Sequence, residues 1–282
     1  MAFKDILLHL DTYPDPTADW ATDQALAFCV SLGGQVTGVA VQATIALKSN
    51  RLADFVLNFG ELARSEEGRS RAAADHLLDR FETAATAAGV YGGRICPAAE
   101  MFEVPERIAG LARTRDVCVV PYGRDPGPQQ GLAEALIFSS GRPVIIFWPQ
   151  EGHAPKTEIG TAVIAWDGGR SAAAALAAAL PALRAAKTVV VLTILNEKPS
   201  ATPAVAEDVI RHLAQHGVEA EALAFDSAGA KIGSVLEHVI ERTGADLLVM
   251  GAFGHSRARE FVLGGATRSM IEAPPTAVLL AH

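Results

Sequence analysis

Short apolar runs alternate along the chain with longer stretches whose apolar positions recur at three- and four-residue spacing. Residues 6–10 form a buried-strand pattern that closes on Asp11. Residues 18–32 follow with Trp20, Ala21, Gln24, Ala25, Phe28 and Leu32 on one helical face, ending at Gly33 and Gly34. The pattern then predicts a strand over 35–41, helices over 51–62 and 65–88, a strand over 90–96, a helix over 104–114 and a strand over 117–120. A stretch rich in Gly and Pro, 123–131, precedes a helix over 132–139 and a strand over 144–147.

Residues 148–160 are polar and turn-rich, with Pro149, Gly152 and Pro155, as expected of a connection between domains. The series then restarts. Strands are predicted over 162–166, 189–194, 219–224, 247–250 and 277–280. The helices between them fall at 171–185, with Ser171 as N-cap, and at 204–216, 232–243 and 266–272. Three strand motifs recur in order: ILLHLD and AVIAWD, RDVCVVPYG and ADLLVMGAFG, RPVIIF and PTAVLLA. The chain is therefore read as an internal repeat, with domains at 1–148 and 161–282 joined by a linker at 149–160. The first copy is the longer, and its surplus around 44–66 predicts an extra helix or long loop. Alternating strands and helices imply an α/β fold with parallel sheets, right-handed crossovers and helices on both faces. Ligands in such folds sit at the carboxyl ends of the strands. The two copies are expected to superpose as separate five-stranded units packed as a pseudo-dimer, not as one continuous ten-stranded sheet. Strands 144–147 and 277–280 are the edges expected to meet.

The 282 residues suffice for two domains of ordinary size. Half of them are hydrophobic and the net charge is −8, which argues against a nucleic-acid surface. The N-terminal apolar run is too short for a secretory signal, so a cytoplasmic location is expected. The most apolar helix is broken by Pro181 and Arg184, so no membrane span is expected. Cys29, Cys96 and Cys118 are odd in number and scattered, and read as reduced, mostly buried side chains. Asp208, His212 and His216 share one helix face, but no ligand from another element accompanies them, so no metal site is assigned.

The most informative stretch runs from Asp246 to Arg268. A buried strand leads into Gly251 and Gly254, and nine residues later Gly264 and Gly265 stand before a short helix. Glycines without a Cβ and the free N–H groups of a helix start suit an anion such as a phosphate. The spacing resembles the nucleotide loop of the universal stress protein family, and the run GGATR resembles tandem-domain members. The family carries Ser or Thr where this chain has Gly265, so one hydroxyl is missing, with Thr267 two residues on. The resemblance covers nearly the whole chain twice. It implies two Rossmann-like sheets of the adenine nucleotide alpha hydrolase-like type, each with strand order 3-2-1-4-5. It further implies an adenine nucleotide, ATP, with Mg²⁺ accompanying it, bound by Asp167, Ile194, Gly251, Gly254, Gly264, Gly265, Ala266 and Thr267. By the resemblance Asp167 lies on the adenine and ribose side.

Where the second copy has Gly251, Gly254 and Gly264, ungapped register gives the first copy Pro121, Arg124 and about Glu134. The first site is thus read as degenerate, with negative charge near any anion. Arg257, Arg259, Arg268, Ser256 and His255 flank the second loop, but no nucleophile with a paired base is present, so no catalytic residue is assigned. The expected role is regulation in a stress response, through an unidentified protein partner and with a homodimer in prospect. The alternatives are a nucleotide-independent scaffold and a weak ATPase; the S-G-G-x-D-S loop of the related ATP pyrophosphatases is only partly echoed in 167–171.

Overall fold

Runs of Val, Leu and Ile that can be buried on both faces belong in the middle of a parallel sheet, and that is where they lie. The computed structural model describes residues 2–46, 59–123, 126–196, 204–252 and 265–282. In chain order the first half contains β1 (Asp5–Leu10), α1 (Asp19–Leu32), β2 (Gln35–Ala40), β3 (Gln42–Thr44), α2 (Phe59–Ala87), β4 (Tyr91–Ile95) and β5 (Ala98–Glu100). A 3₁₀ turn (Met101–Glu103), α3 (Val104–Ala112), β6 (Val117–Pro121), α4 (Gly127–Ser139) and β7 (Val144–Phe147) complete it. The second half contains β8 (Thr161–Ala165), α5 (Arg170–Ala185), β9 (Thr188–Leu195), α6 (Ala204–Gln215) and β10 (Glu221–Asp226). It ends with α7 (Ile232–Thr243), β11 (Leu247–Gly251), α8 (Gly265–Glu272) and β12 (Ala277–Ala281).

The main sheet has the order β10-β9-β8-β11-β12-β7-β6-β1-β2-β4. Each half thus shows the order 3-2-1-4-5 with parallel neighbours. The expectation of two separate sheets is corrected: β12 pairs antiparallel with β7, matching Val278, Leu279 and Leu280 to Ile146, Ile145 and Val144, and the sheet is continuous. The edge strands do meet as anticipated. Hydrogen-bonding those edges to each other is what turns two five-stranded units into one ten-stranded sheet.

Side chains alternate across the strands and build a core on each face. Ile6 and Leu8 of β1 join Phe28 of α1, Leu77 and Phe81 of α2, Leu176 of α5 and Leu213 of α6. Leu7 points the other way, to the side of Ile108 in α3, Leu136 in α4, Leu236 in α7 and Met270 in α8. α1 packs on α5 and α4 on α8, so both helical layers cross from one half to the other. Cys29 and Cys118 are buried and free as expected, whereas Cys96 is exposed. The helix read over 65–88 begins earlier, at Phe59, and the helix over 51–62 lies mainly outside the described residues. Among the described residues no helix is long and apolar enough to cross a membrane.

The connection between the halves is held by Gln24, which is 6% exposed. Its Nε2 donates to the Gln150 and His153 carbonyls (2.8 and 2.7 Å), and its Oε1 accepts from the Gln150 N–H (3.0 Å). All the usual bonds of the buried amide are thereby made to the connection itself.

One aspartate in each half fastens the start of its central strand. Asp116 Oδ2 accepts from the N–H groups of Lys4 and Asp5 (2.8 and 3.1 Å), and Asp246 Oδ2 accepts from those of Gly160 and Thr161 (2.8 and 3.2 Å). Burial pushes the Asp246 carboxyl up, but Lys156 and the Thr161 and Gly160 amides outweigh it and hold the group below its ordinary value. A depressed folded pKa means stability that is present above the unfolded value, about 4, and lost as pH falls through the folded value. Asp246→Ala is expected to cost about 2 kcal/mol at pH 7, as for hydrogen bonds to a charged group, and much less near pH 3. Urea unfolding at both pH values measures the difference, and an equal loss at both would refute the assignment.

Candidate functional site

The carboxyl ends of β8, β9 and β11 open into a cleft of about 420 Å³ on the side of α7 and α8. β8 delivers Ala165 and, just beyond its end, Trp166 and Asp167. β9 supplies Leu192 and Ile194, and β11 supplies Met250 and Gly251. Leu192, Ile194 and Met250 are buried and form an apolar floor, as alternation along a strand covered by helices requires.

Three helices begin at this cleft. α5 starts after Gly169, α7 after Lys231, and α8 with Gly265, Ala266 and Thr267. Neither Gly169 nor Lys231 provides a side-chain cap, so the first N–H groups of α5 and α7 are not satisfied in that way. Three positive dipole ends facing one space favour a negatively charged guest. Lys231 adds a cationic side chain, and it and Asp167 are the only charged groups among the described lining residues. The cleft is thus bipolar, with a carboxylate at the α5 end and an ammonium at the α7 start.

Of the residues predicted from sequence, Asp167, Ile194, Gly251, Gly265, Ala266 and Thr267 all line this one cleft. Gly254 and Gly264, with His255, Ser256, Arg257 and Arg259, lie outside the described residues. Arg268 is exposed and pairs with Glu272 Oε1 at 2.6 Å. Ser171 is not an N-cap, because α5 already begins at Arg170. Asp167 instead turns the chain into α5, its Oδ1 accepting from the Gly169 N–H at 2.8 Å. Trp166, Lys231 and Ser234 were not anticipated as lining residues. The signal for Lys231 and Ser234 lay in the sequence Ala228-Gly229-Ala230-Lys231-Ile232-Gly233-Ser234, a turn leading into a helix directly after a strand.

Gly251 also meets a packing constraint that its motif does not suggest. A Cβ there would stand 2.4 Å from Ser171 C and from Ala172 N, so the glycine lets the first turn of α5 lie against the end of β11. At Gly265 a Cβ would meet nothing within 4 Å among the described residues. Glu134 also departs from its predicted place: it sits inside α4, is not among the residues lining the first-half cleft, and acts electrostatically on Tyr122 and Arg268. The connection from β6 to α4 is shorter than that from β11 to α8, so ungapped register from the strand slips along the helix. Gly251→Ala is expected to destabilise the fold by about 1–3 kcal/mol through overpacking. Gly265→Ala should change stability by less than about 0.5 kcal/mol, as an exposed substitution. Denaturant midpoints of the two variants would decide, and equal losses would refute the distinction.

The universal stress protein family model matches residues 158–282. No curated protein matches the sequence. Among solved structures, a universal stress protein from Archaeoglobus fulgidus aligns over 98% of this chain and 97% of its own, at 14% identity and a TM-score of 0.65. A Pseudomonas aeruginosa structure provisionally assigned as a universal stress protein aligns over 99% and 93%, at 12% identity and a TM-score of 0.52. The cytoplasmic domain of a prokaryotic cation chloride cotransporter aligns over 99% and 95%, also at 12% identity and 0.52. At such identities the likeness shows the fold, and it extends over both halves. The second half of the chain, whose cleft gathers the described loop and strand-end residues, is a universal stress protein domain, and the first half repeats its fold within the same sheet.

Proposed function

We propose that the second-half cleft binds an adenine nucleotide, ATP, and that the chain acts as a nucleotide-responsive regulator in a stress response. The observation that carries this reading is the convergence of three helix starts, two of them without side-chain caps, on one apolar-floored cleft. The chemistry of the lining fits the ligand from end to end. Leu192, Ile194 and Met250 offer an apolar floor to a planar base, and Asp167 can accept from amino or hydroxyl donors. The first N–H groups of α8, with Lys231 at the start of α7, suit phosphate oxygens. Mg²⁺ would enter with the phosphates, supplying charge neutralisation.

The role proposed is binding rather than turnover. Asp167 and Lys231 are the only titratable side chains among the described lining residues, and each is read here as a ligand contact. A ligand that favours one conformation shifts its population by the difference in affinity, and a partner protein that reads that conformation would sense the nucleotide.

Calorimetric titration of the full chain with ATP tests the proposal. Asp167→Ala is expected to weaken binding by about 10- to 100-fold while leaving the fold intact, as loss of charge-assisted hydrogen bonds implies. Gly265→Ser, placed where a Cβ meets none of the described residues, should tighten it by up to about 1.5–3 kcal/mol. Absence of binding by the unaltered chain would favour the nucleotide-independent scaffold.

A further inference from the structure

The first half has its own cleft at the same end of its strands, about 250 Å³ in volume, and its chemistry is opposite in kind. His9 and Asp11 of β1 and its exit line it. They stand where the second half has Ala165 and Asp167, as the parallel pairings of Ile6 with Val117 and of Ala162 with Leu247 establish. Asp11 has a side chain only 13% exposed, and among the described residues no Lys or Arg pairs with it. Its Oδ2 accepts from Gln129 Nε2 (2.8 Å), and its Oδ1 lies 3.8 Å from His9 Nδ1. His9 is 2% exposed, and its Nδ1 makes no hydrogen bond among the described residues. Burial keeps this imidazole in its neutral form, with Asp11 opposing more weakly. Gln129 Oε1, also buried, makes no hydrogen bond among the described residues either.

A largely desolvated carboxylate without a cation is costly, and orphaned buried polar atoms beside it add to the cost. Asp11 is the only charged group among the described residues lining the cleft. Pro128, in the first turn of α4, has no N–H to give an anion. Thr12 and Tyr13 also line it, the Thr12 hydroxyl being engaged by the Val41 carbonyl and Ser70. Val41, Val104, Leu132 and Met101 give it apolar walls, with Phe102 next to Met101 and 77% exposed at the surface. We propose that this cleft binds a small organic cation, a protonated primary amine with a compact apolar body. The ammonium sits on Asp11, beside the His9 ring, and the body lies against the Val104 and Leu132 wall. The Gln129 amide donates to the carboxylate in the unliganded protein and therefore competes with the amine for it.

The test is a titration of the full chain, followed by NMR of the His9 ring and of the Asp11 and Gln129 amides, with three probes that share a ring and differ in charge: benzylamine, benzyl alcohol and benzoate. Benzylamine at neutral pH is expected to shift these signals saturably, with affinity at least tenfold above the alcohol, and benzoate should not bind. Asp11→Asn should lower the benzylamine affinity at least tenfold, and Gln129→Ala should raise it by removing the competing donor. Two variants with opposite signs separate ligand binding from a merely structural role, which would lower affinity in both. The proposal is overturned if benzoate binds as well as benzylamine, if benzylamine leaves the His9 and Asp11 signals unmoved, or if Gln129→Ala binds it no better than the unaltered chain. The ATP titration reads the Asp167 side of the molecule, so either proposal can fail without the other.

Discussion

The antiparallel pairing of β7 with β12 is the constraint on which the rest of the structure depends. Val144, Ile145 and Ile146 face Val278, Leu279 and Leu280 in register, and all six are fully buried. Each half alone would end in an open apolar edge available to any other strand, and joining the two edges removes both. Because the join is antiparallel while each half is parallel within itself, the carboxyl ends of the two sets of strands point in opposite directions. The two clefts therefore lie at opposite ends of the sheet. α4 is brought against α8, and α1 against α5, so the helical layers seal the same seam from both faces.

On that frame a few side chains set the chemistry of each cleft. The fifth residue of the central strand is Ala165 in one half and His9 in the other, and the imidazole takes up room in the smaller cleft. Both central strands exit on an aspartate. Asp167 receives the Gly169 amide at the start of a helix, whereas Asp11 receives a glutamine side chain from α4. Helix starts and a lysine surround the first of these carboxylates; apolar walls and neutral acceptors surround the second. One backbone, duplicated, thus presents a bipolar cleft suited to phosphates and an acidic one suited to cations.

Much of this was legible in the sequence because strands buried on both faces leave nearly unbroken apolar runs. ILLHLD with AVIAWD, and RPVIIF with PTAVLLA, announce the repeat, and Asp167 and Ile194 could be placed at strand ends from the runs alone. Whether two edge strands merge their sheets depends on tertiary pairing, which no local pattern encodes. Gly251 lines the cleft as read, but that its missing Cβ also makes room for the backbone of α5 could not be read, since a glycine marks close approach without naming what approaches. Glu134 was misplaced because register was carried across connections of unequal length. Lys231 and the start of α7 were missed because their contribution comes from the third strand's connection, far in sequence from the glycine loop.

The central claim is that nucleotide belongs to the second cleft and to that cleft alone. Hydrogen exchange of the full chain, with and without saturating ATP, tests it most directly, because slowed amide exchange reports which backbone N–H groups the ligand engages. The expected result is slower exchange at the start of α5 beyond Asp167, at Ile232–Ser234 and in the first turn of α8, with the amides around Asp11 and the start of α4 unchanged. Protection around Asp11 and Gly127 instead, or no change anywhere in the chain, would contradict the account.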